Sequence, residues 1–247
     1  MNRNCHGSRG RVLVLGTALI TPIVTAGAVF AGGPQFVDES NVRFPDDPLE
    51  YTNQLTIGDI DNDNDLDIIW ASGGGFGGSS GQQYWARIYI NGPAGQFSDE
   101  TVARGGDILG NYRGVELGDI ERDGDLDILL VQDYGQEPVL LVNDGNGFFT
   151  DESDDRMPGI ELSSARGQFG DVDNDGDLDI YMTNGGSFNR FGCGQYQLYL
   201  NDGNGFFTDA TATHLPQQND CENMDCIFGD IDGDFDIDIR TGSTGFN

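Results

Sequence analysis

Short apolar runs alternate with acidic, glycine-rich stretches along most of this chain, and within the runs the alternation has the period of a strand. The clearest are Ile88-Tyr-Ile-Asn91, Leu140-Leu-Val-Asn143 and Leu198-Tyr-Leu-Asn201. Each is followed by a second pattern, Phe97-Ser-Asp-Glu-Thr, Phe149-Thr-Asp-Glu-Ser or Phe207-Thr-Asp-Ala-Thr, whose first copy is Phe36-Val-Asp-Glu-Ser. Between Asn143 and Phe149, and between Asn201 and Phe207, the Asp-Gly-Asn-Gly linker predicts a hairpin turn. A third set flanks single aspartates: Leu66 and Ile68 around Asp67, Leu126 and Ile128 around Asp127, Leu178 and Ile180 around Asp179, Ile237 and Ile239 around Asp238. A period of two turns the apolar pair to one side, into a core, and the aspartate to the other. Ile69-Trp70, Leu129-Leu130-Val131 and Tyr181-Met182 extend these strands. From residue 32 onward no stretch has a helical period, and Ser72 to Gln83 and Asn184 to Gly194 are predicted loops.

Just upstream of each third-set strand lies an acidic loop of fixed spacing, beginning at Asp59, Asp119, Asp171 and Asp230. The repeat is therefore 60, 52 and 59 residues long. That length fits about four short antiparallel strands, the dimension of a propeller blade. The predicted fold is all-β, a β-propeller of four-stranded blades, with units at about 36–96, 97–148, 149–206 and 207–247. The fourth unit is incomplete, because the chain stops before a Leu-x-Asn strand. A truncated reading frame of a larger propeller is the favoured expectation, over a four-unit ring with an irregular last blade. The Phe36 strand is available to complete the last unit from outside, since an open array leaves strand edges exposed.

Five carboxylates in nine residues repel one another unless a cation sits among them. Counting the first aspartate as position 1, the candidates in the first loop are Asp59, Asp61, Asp63 and Asp67, with Asp65 offering its carbonyl. The second loop has Asp119, Glu121, Asp123, Asp125 and Asp127, where the longer Glu121 is expected to loosen the site. The third, Asp171, Asp173, Asp175, Asp177 and Asp179, has Gly176 at the sharp turn of position 6. The fourth, Asp230, Asp232, Asp234, Asp236 and Asp238, has Phe235 there, a poor residue for a left-handed turn. Hard oxygen donors on a flexible loop suit Ca²⁺ better than Mg²⁺, giving up to four calcium sites. An EF-hand is excluded, because position 12 holds Trp70, Leu130, Met182 or Thr241 in place of the bidentate glutamate.

Charge and termini narrow the function classes. The chain has 247 residues and a net charge of −30, and its twelve basic residues are all arginine. Arg3, Arg9 and Arg11 precede an apolar run from Val12 to Val29, and Val29-Phe-Ala31 offers small residues for cleavage. Residues 1–31 therefore read as a signal peptide, with 32–247 exported as one repeat domain. Export removes three arginines and leaves nine positive charges against 42 negative. Such a surface repels nucleic acid and anionic membranes, and no membrane span is expected after cleavage. The loops hold 20 of the 42 acidic residues, so the acid is patterned for metal rather than spread for salt tolerance. Cys193, Cys221 and Cys226 remain after export; one disulfide is open to any pair of them. With His214 as the last histidine, a zinc site is not expected.

The run from Gln168 through Asp179-Ile, followed by Leu198-Tyr-Leu-Asn-Asp-Gly-Asn-Gly-Phe-Phe-Thr-Asp, resembles the FG-GAP/VCBS-type repeats of exported bacterial proteins and, more distantly, the integrin α-subunit propeller. The resemblance covers nearly all of residues 36–247. It implies a β-propeller, usually seven-bladed, with Ca²⁺ in loops along one face, although seven blades of this period need about 400 residues. It also implies adhesion, or binding of carbohydrate or protein, outside the cell or in its envelope. Trp70, Phe76, Tyr84, Trp85, Tyr112, Tyr134, Phe188 and Phe191 are candidates to contact a ligand, though most are expected to pack between blades. Against these stand two alternatives: a calcium-assisted polysaccharide lyase or hydrolase, and a nonfunctional fragment. No Gly-x-Ser-x-Gly or His-Glu-x-x-His motif supports catalysis, and no catalytic residue is assigned.

Overall fold

The computed structural model describes residues 13–16, 35–44, 50–73, 83–184, 194–217 and 223–243. Strand β1 (Leu13–Gly16) pairs antiparallel with β2 (Gln35–Asp38), so the Phe36 segment joins this ribbon rather than the last repeat. A single helical turn, α1 (Ser40–Arg43), follows. The first sheet contains β3 (Thr52–Gly58), β4 (Asp67–Ser72), β6 (Arg87–Gly92) and β7 (Gln96–Asp99). A short ribbon of β5 (Tyr84–Trp85) and β8 (Leu109–Gly110) lies beside it. The second sheet is β9 (Tyr112–Gly118), β10 (Asp127–Gln132), β11 (Val139–Asn143) and β12 (Phe149–Asp151), and a helical turn α2 (Ser153–Arg156) succeeds it. The third is β13 (Gly167–Gly170), β14 (Asp179–Met182), β15 (Gln197–Asn201) and β16 (Phe207–Asp209), followed by α3 (Thr211–His214). A two-stranded sheet, β17 (Asn223–Gly229) and β18 (Asp238–Ser243), completes the described chain.

Each four-stranded sheet is an antiparallel meander in chain order. The acidic loop joins its first and second strands, and the Leu-x-Asn and Phe-x-Asp patterns form its third and fourth. The sheets stack through their faces. In β10, Ile128 and Leu130 enter one apolar layer with Ile69, Ile88 and Val115, while Leu129 and Val131 enter the next with Ile180, Met182 and Tyr199. This strand is therefore buried on both sides, and its aspartate is no solvent-facing residue: Asp67, Asp127 and Asp179 are all buried. Tyr181, Tyr196, Leu198 and Cys226 form the layer between the third sheet and the last pair of strands.

The three helical turns depart from the sequence expectation, and local hydrogen bonding explains them. In each Phe-x-Asp-x-Ser/Thr pattern the aspartate accepts from the backbone N–H two residues on: Ser40 to Asp38 (3.1 Å), Thr101 to Asp99 (3.1 Å), Ser153 to Asp151 (3.1 Å) and Thr211 to Asp209 (2.9 Å). This Asx turn precedes each helical turn, and four residues are too few to show a period. The Ser/Thr hydroxyl then accepts from the third strand, at Ile88 N–H (3.0 Å), Leu140 N–H (2.9 Å) and Leu198 N–H (3.0 Å).

Candidate metal centre

Two left-handed residues shape every acidic loop. Position 6 holds Asn64, Gly124, Gly176 or Phe235, as the sequence suggests, but position 4 is left-handed as well, at Asn62, Arg122, Asn174 and Gly233. Phe235 takes φ +75° and points its ring outward, 89% exposed. Position 1 locks the turn. Asp59 accepts from Asp63 N–H (3.1 Å) and Asn64 N–H (2.9 Å), and Asp119 accepts from Asp123 and Gly124 in the same way. At position 9, Asp67 accepts from Ile60 N–H (3.1 Å) across the loop and from Asn91 N–H (2.8 Å) on the third strand. Asp127 and Asp179 repeat both bonds.

These constraints draw positions 1, 3 and 9 together. Ligand oxygens of Asp59, Asp61 and Asp67 lie within 4.8 Å of one another, as do those of Asp171, Asp173 and Asp179. In the fourth loop the converging group is Asp230, Asp232 and Asp234, all exposed. The position-5 residues Asp63 and Asp175 accept from the N–H groups of Asp65 (2.8 Å) and Asp177 (2.9 Å), the same bond that Asp234 receives from Asp236 (3.1 Å). Among the described residues the second loop forms no such group; Glu121, one methylene longer, is held by Arg156 at 2.5 Å. The donor set fits a hard cation. Asp61 Oδ1 and Asp171 Oδ1 are buried oxygens with no hydrogen-bond partner, a costly state that a cation relieves. Burial pushes the Asp67 carboxyl up to about 6 and the Asp127 carboxyl up to about 7, against the pull of their two backbone donors; Asp179 is raised for the same reason.

Sequence reasoning missed the contacts that join one loop to the next sheet. Position 4 donates to the position-7 carboxylate of the following loop: Asn62 to Asp125 (2.7 Å), Asn174 to Asp236 (3.0 Å), and Arg122 to Asp177. The asparagine of Leu-x-Asn bonds the loop behind it. Asn143 Nδ2 donates to Ile60 O (2.8 Å) in the preceding loop and Leu126 O (3.0 Å) in its own, and Asn201 does likewise at Ile120 O and Leu178 O. The arginine four residues after each motif glutamate makes a third tie. Arg104 bonds Glu100 (2.8 Å), Asn146 O (2.8 Å) and Asp61 (3.0 Å), and its guanidinium lies over the Phe148 ring. Arg156 repeats this with Glu152, Asn204 O, Glu121 and Phe206. Of the Phe-Phe pair, the first ring thus stacks on arginine outside and the second, Phe149 or Phe207, is buried. The signal was present as Glu-x-x-x-Arg at 39/43, 100/104 and 152/156.

The aromatic candidates divide. Trp70 packs on Phe44 and Tyr89, and Tyr112 is fully buried, so both are core. Tyr84, Trp85 and Tyr134 are half-buried, while Phe76, Phe188 and Phe191 lie outside the described residues. Cys226 is a buried free thiol, and burial raises it to about 12; Cys193 and Cys221 lie outside the described residues. No helix among the described residues is long and apolar enough to cross a membrane.

The model of the FG-GAP-like repeat family matches residues 59–130 and 122–182. No curated protein matches by sequence. Two solved structures are similar in part. A lectin of Agrocybe aegerita, described by its recognition of non-reducing terminal N-acetylglucosamine, is 21% identical with a TM-score of 0.37, over 66% of this chain and 39% of its own. The V. cholerae biofilm matrix protein Bap1 is 14% identical with a TM-score of 0.44, over 81% of this chain and 30% of its own. The chain thus spans well under half the length of either.

Proposed function

We propose that this chain, which belongs to the FG-GAP-like repeat family, is an exported calcium-binding module that serves binding or adhesion rather than catalysis. One observation carries the metal: the convergence of Asp171, Asp173 and Asp179, and of Asp59, Asp61 and Asp67, around buried carboxylate oxygens without partners. Calcium held there supplies positive charge that ties the loop to the strand behind it. The first and third loops are the stronger sites, the fourth is a weaker exposed one, and the second binds least. The stacked meanders are read as consecutive blades of a propeller, with residues 1–31 as the export signal.

The ligand is proposed to be carbohydrate or protein outside the cell or in its envelope. An open recess of about 430 Å³ beside α3, lined by Gln195, Gln197, Asp209, Thr211, Leu215 and Gln217, is the place proposed for such a ligand. The test is a glycan array probed in calcium and in chelator, followed by assay of bound glycans for new reducing ends. Calcium-dependent binding without product supports a module. Turnover would establish the lyase or hydrolase alternative, and an absence of binding to any glycan directs the search to protein ligands.

A further inference from the structure

An arginine is out of place at position 4 of the second loop. That position is left-handed in all four loops, and three of them fill it with residues that tolerate the conformation: Asn62, Asn174 and Gly233. Arg122 takes φ +57° there, which a long side chain rarely adopts. Reach does not explain the choice. Asparagine already spans the gap to the next loop, with Asn62 Nδ2 2.7 Å from Asp125 and Asn174 Nδ2 3.0 Å from Asp236. What arginine adds is a positive charge.

The third loop is the one that receives no such charge from its own repeat. In the first loop Arg104 meets Asp61, and in the second Arg156 meets Glu121. After the third sheet the matching Glu-x-x-x-Arg positions hold Ala210 and His214. His214 is exposed and turns back on its own helix, with Nδ1 2.8 Å from Thr213 Oγ1 and 3.3 Å from Ala210 O. Arg122 arrives from the opposite side. It pairs with Asp177, its Nη2 donates to Asp175 O at 3.4 Å, and a Cβ on Gly176 would lie 3.3 Å from the same nitrogen. The guanidinium therefore lies over positions 5 to 7 of the third loop. Its carboxylate partner, Asp177, is not one of the converging group Asp171, Asp173 and Asp179.

We propose that Arg122 is the counter-ion of the third loop and sets its calcium affinity, an inference that rests on calcium occupying that loop. While the site is empty, the guanidinium offsets part of the repulsion among five aspartates. Once calcium is bound, the same charge repels it through a short distance at the protein surface. Arg122 thus makes the third site weaker than its aspartates alone would make it, and it does so from the second loop.

Calorimetric titration of calcium into the full chain separates this role from that of a tether that only holds the loop in shape. Arg122→Asn puts the asparagine of the neighbouring loops at the same backbone position and should tighten one calcium site about three- to tenfold. A tether predicts the opposite sign, because a loosened loop binds calcium less well. Arg122→Lys keeps the charge and should stay within about twofold of wild type. The gain from Arg122→Asn should vanish when Asp171→Asn is also present, which places it in the third loop. Unchanged or weaker binding in Arg122→Asn overturns the proposal and leaves the calcium assignment standing. So does a lysine variant that behaves like the asparagine one, or a gain that persists beside Asp171→Asn. A wild-type chain that takes up no calcium overturns both.

Discussion

Replacing Asp171 by Asn separates a metal ligand from an ordinary turn residue, because the predicted effect changes sign with calcium. Asp171 uses one oxygen to accept from Gly176 N–H at 3.0 Å, and its other oxygen is buried without a partner. Asparagine keeps the first bond and removes the charge. With free calcium near 1 mM and a dissociation constant of about 0.1–1 mM, the intact site contributes about 0.4–1.4 kcal/mol. Losing it should lower the melting temperature by about 1–6 °C for a domain of this size. In chelator the sign reverses. The ligand oxygens of Asp171, Asp173 and Asp179 lie within 4.8 Å of one another, and two unit charges at that separation repel by about 0.9 kcal/mol even in water. Asp171→Asn should therefore melt higher than wild type without calcium. Glu121→Gln supplies the contrast: it weakens the bond to Arg156 and should lower melting equally in both conditions. The assay is thermal denaturation followed by circular dichroism, with bound calcium counted by elemental analysis. A melting shift of one sign in both conditions, or an unchanged ion count, would refute the ligand assignment.

Gly205 sits at φ +77° with a Cβ position 2.5 Å from Arg156 Nη1, so Gly205→Ala should destabilise by about 1–3 kcal/mol, measured by urea denaturation; a change below 0.5 kcal/mol (about the ordinary surface value) would mean the turn relaxes freely. Asn143→Ala leaves the Ile60 and Leu126 carbonyls and the Gly145 and Gly147 N–H groups without their side-chain partner. It should cost at least about 3 kcal/mol, and an unaffected midpoint would contradict the bridging role. Cys226, with its thiol held near 12 by burial, should resist alkylation at pH 8 in the native protein and react on unfolding; mass spectrometry after iodoacetamide treatment reads this directly.

The repeating strands and the acidic loops were legible because their signals are local. Alternation around Asp67 or Asp127 needs only neighbours in sequence, and so does the turn chemistry of Asp-Gly-Asn-Gly. Converging positions 1, 3 and 9 required more, since all five carboxylates look equivalent along the chain. Only the backbone path brings Asp59, Asp61 and Asp67, or Asp171, Asp173 and Asp179, within 4.8 Å of one another. The ties from Asn62, Arg104, Asn143 and Arg156 span 35 to 83 residues. Several of their partners are backbone carbonyls, which every residue offers, so for those no side-chain type marks the contact. The one-turn helices were invisible for a different reason: each follows a single Asx turn and has no amphipathic stripe.

The asparagine bridges and arginine ties reach only the adjacent sheet, so stability in this molecule is a nearest-neighbour quantity. Residues in the second and third sheets feel two such junctions, whereas β17 and β18 show one among the described residues. Amide protons of that two-stranded pair should therefore exchange faster than those of the second and third sheets, and unfolding should begin there as fraying rather than as collapse of the whole. A chain of this design gains cooperativity by the number of junctions it closes, and the two inner meanders are its most protected parts.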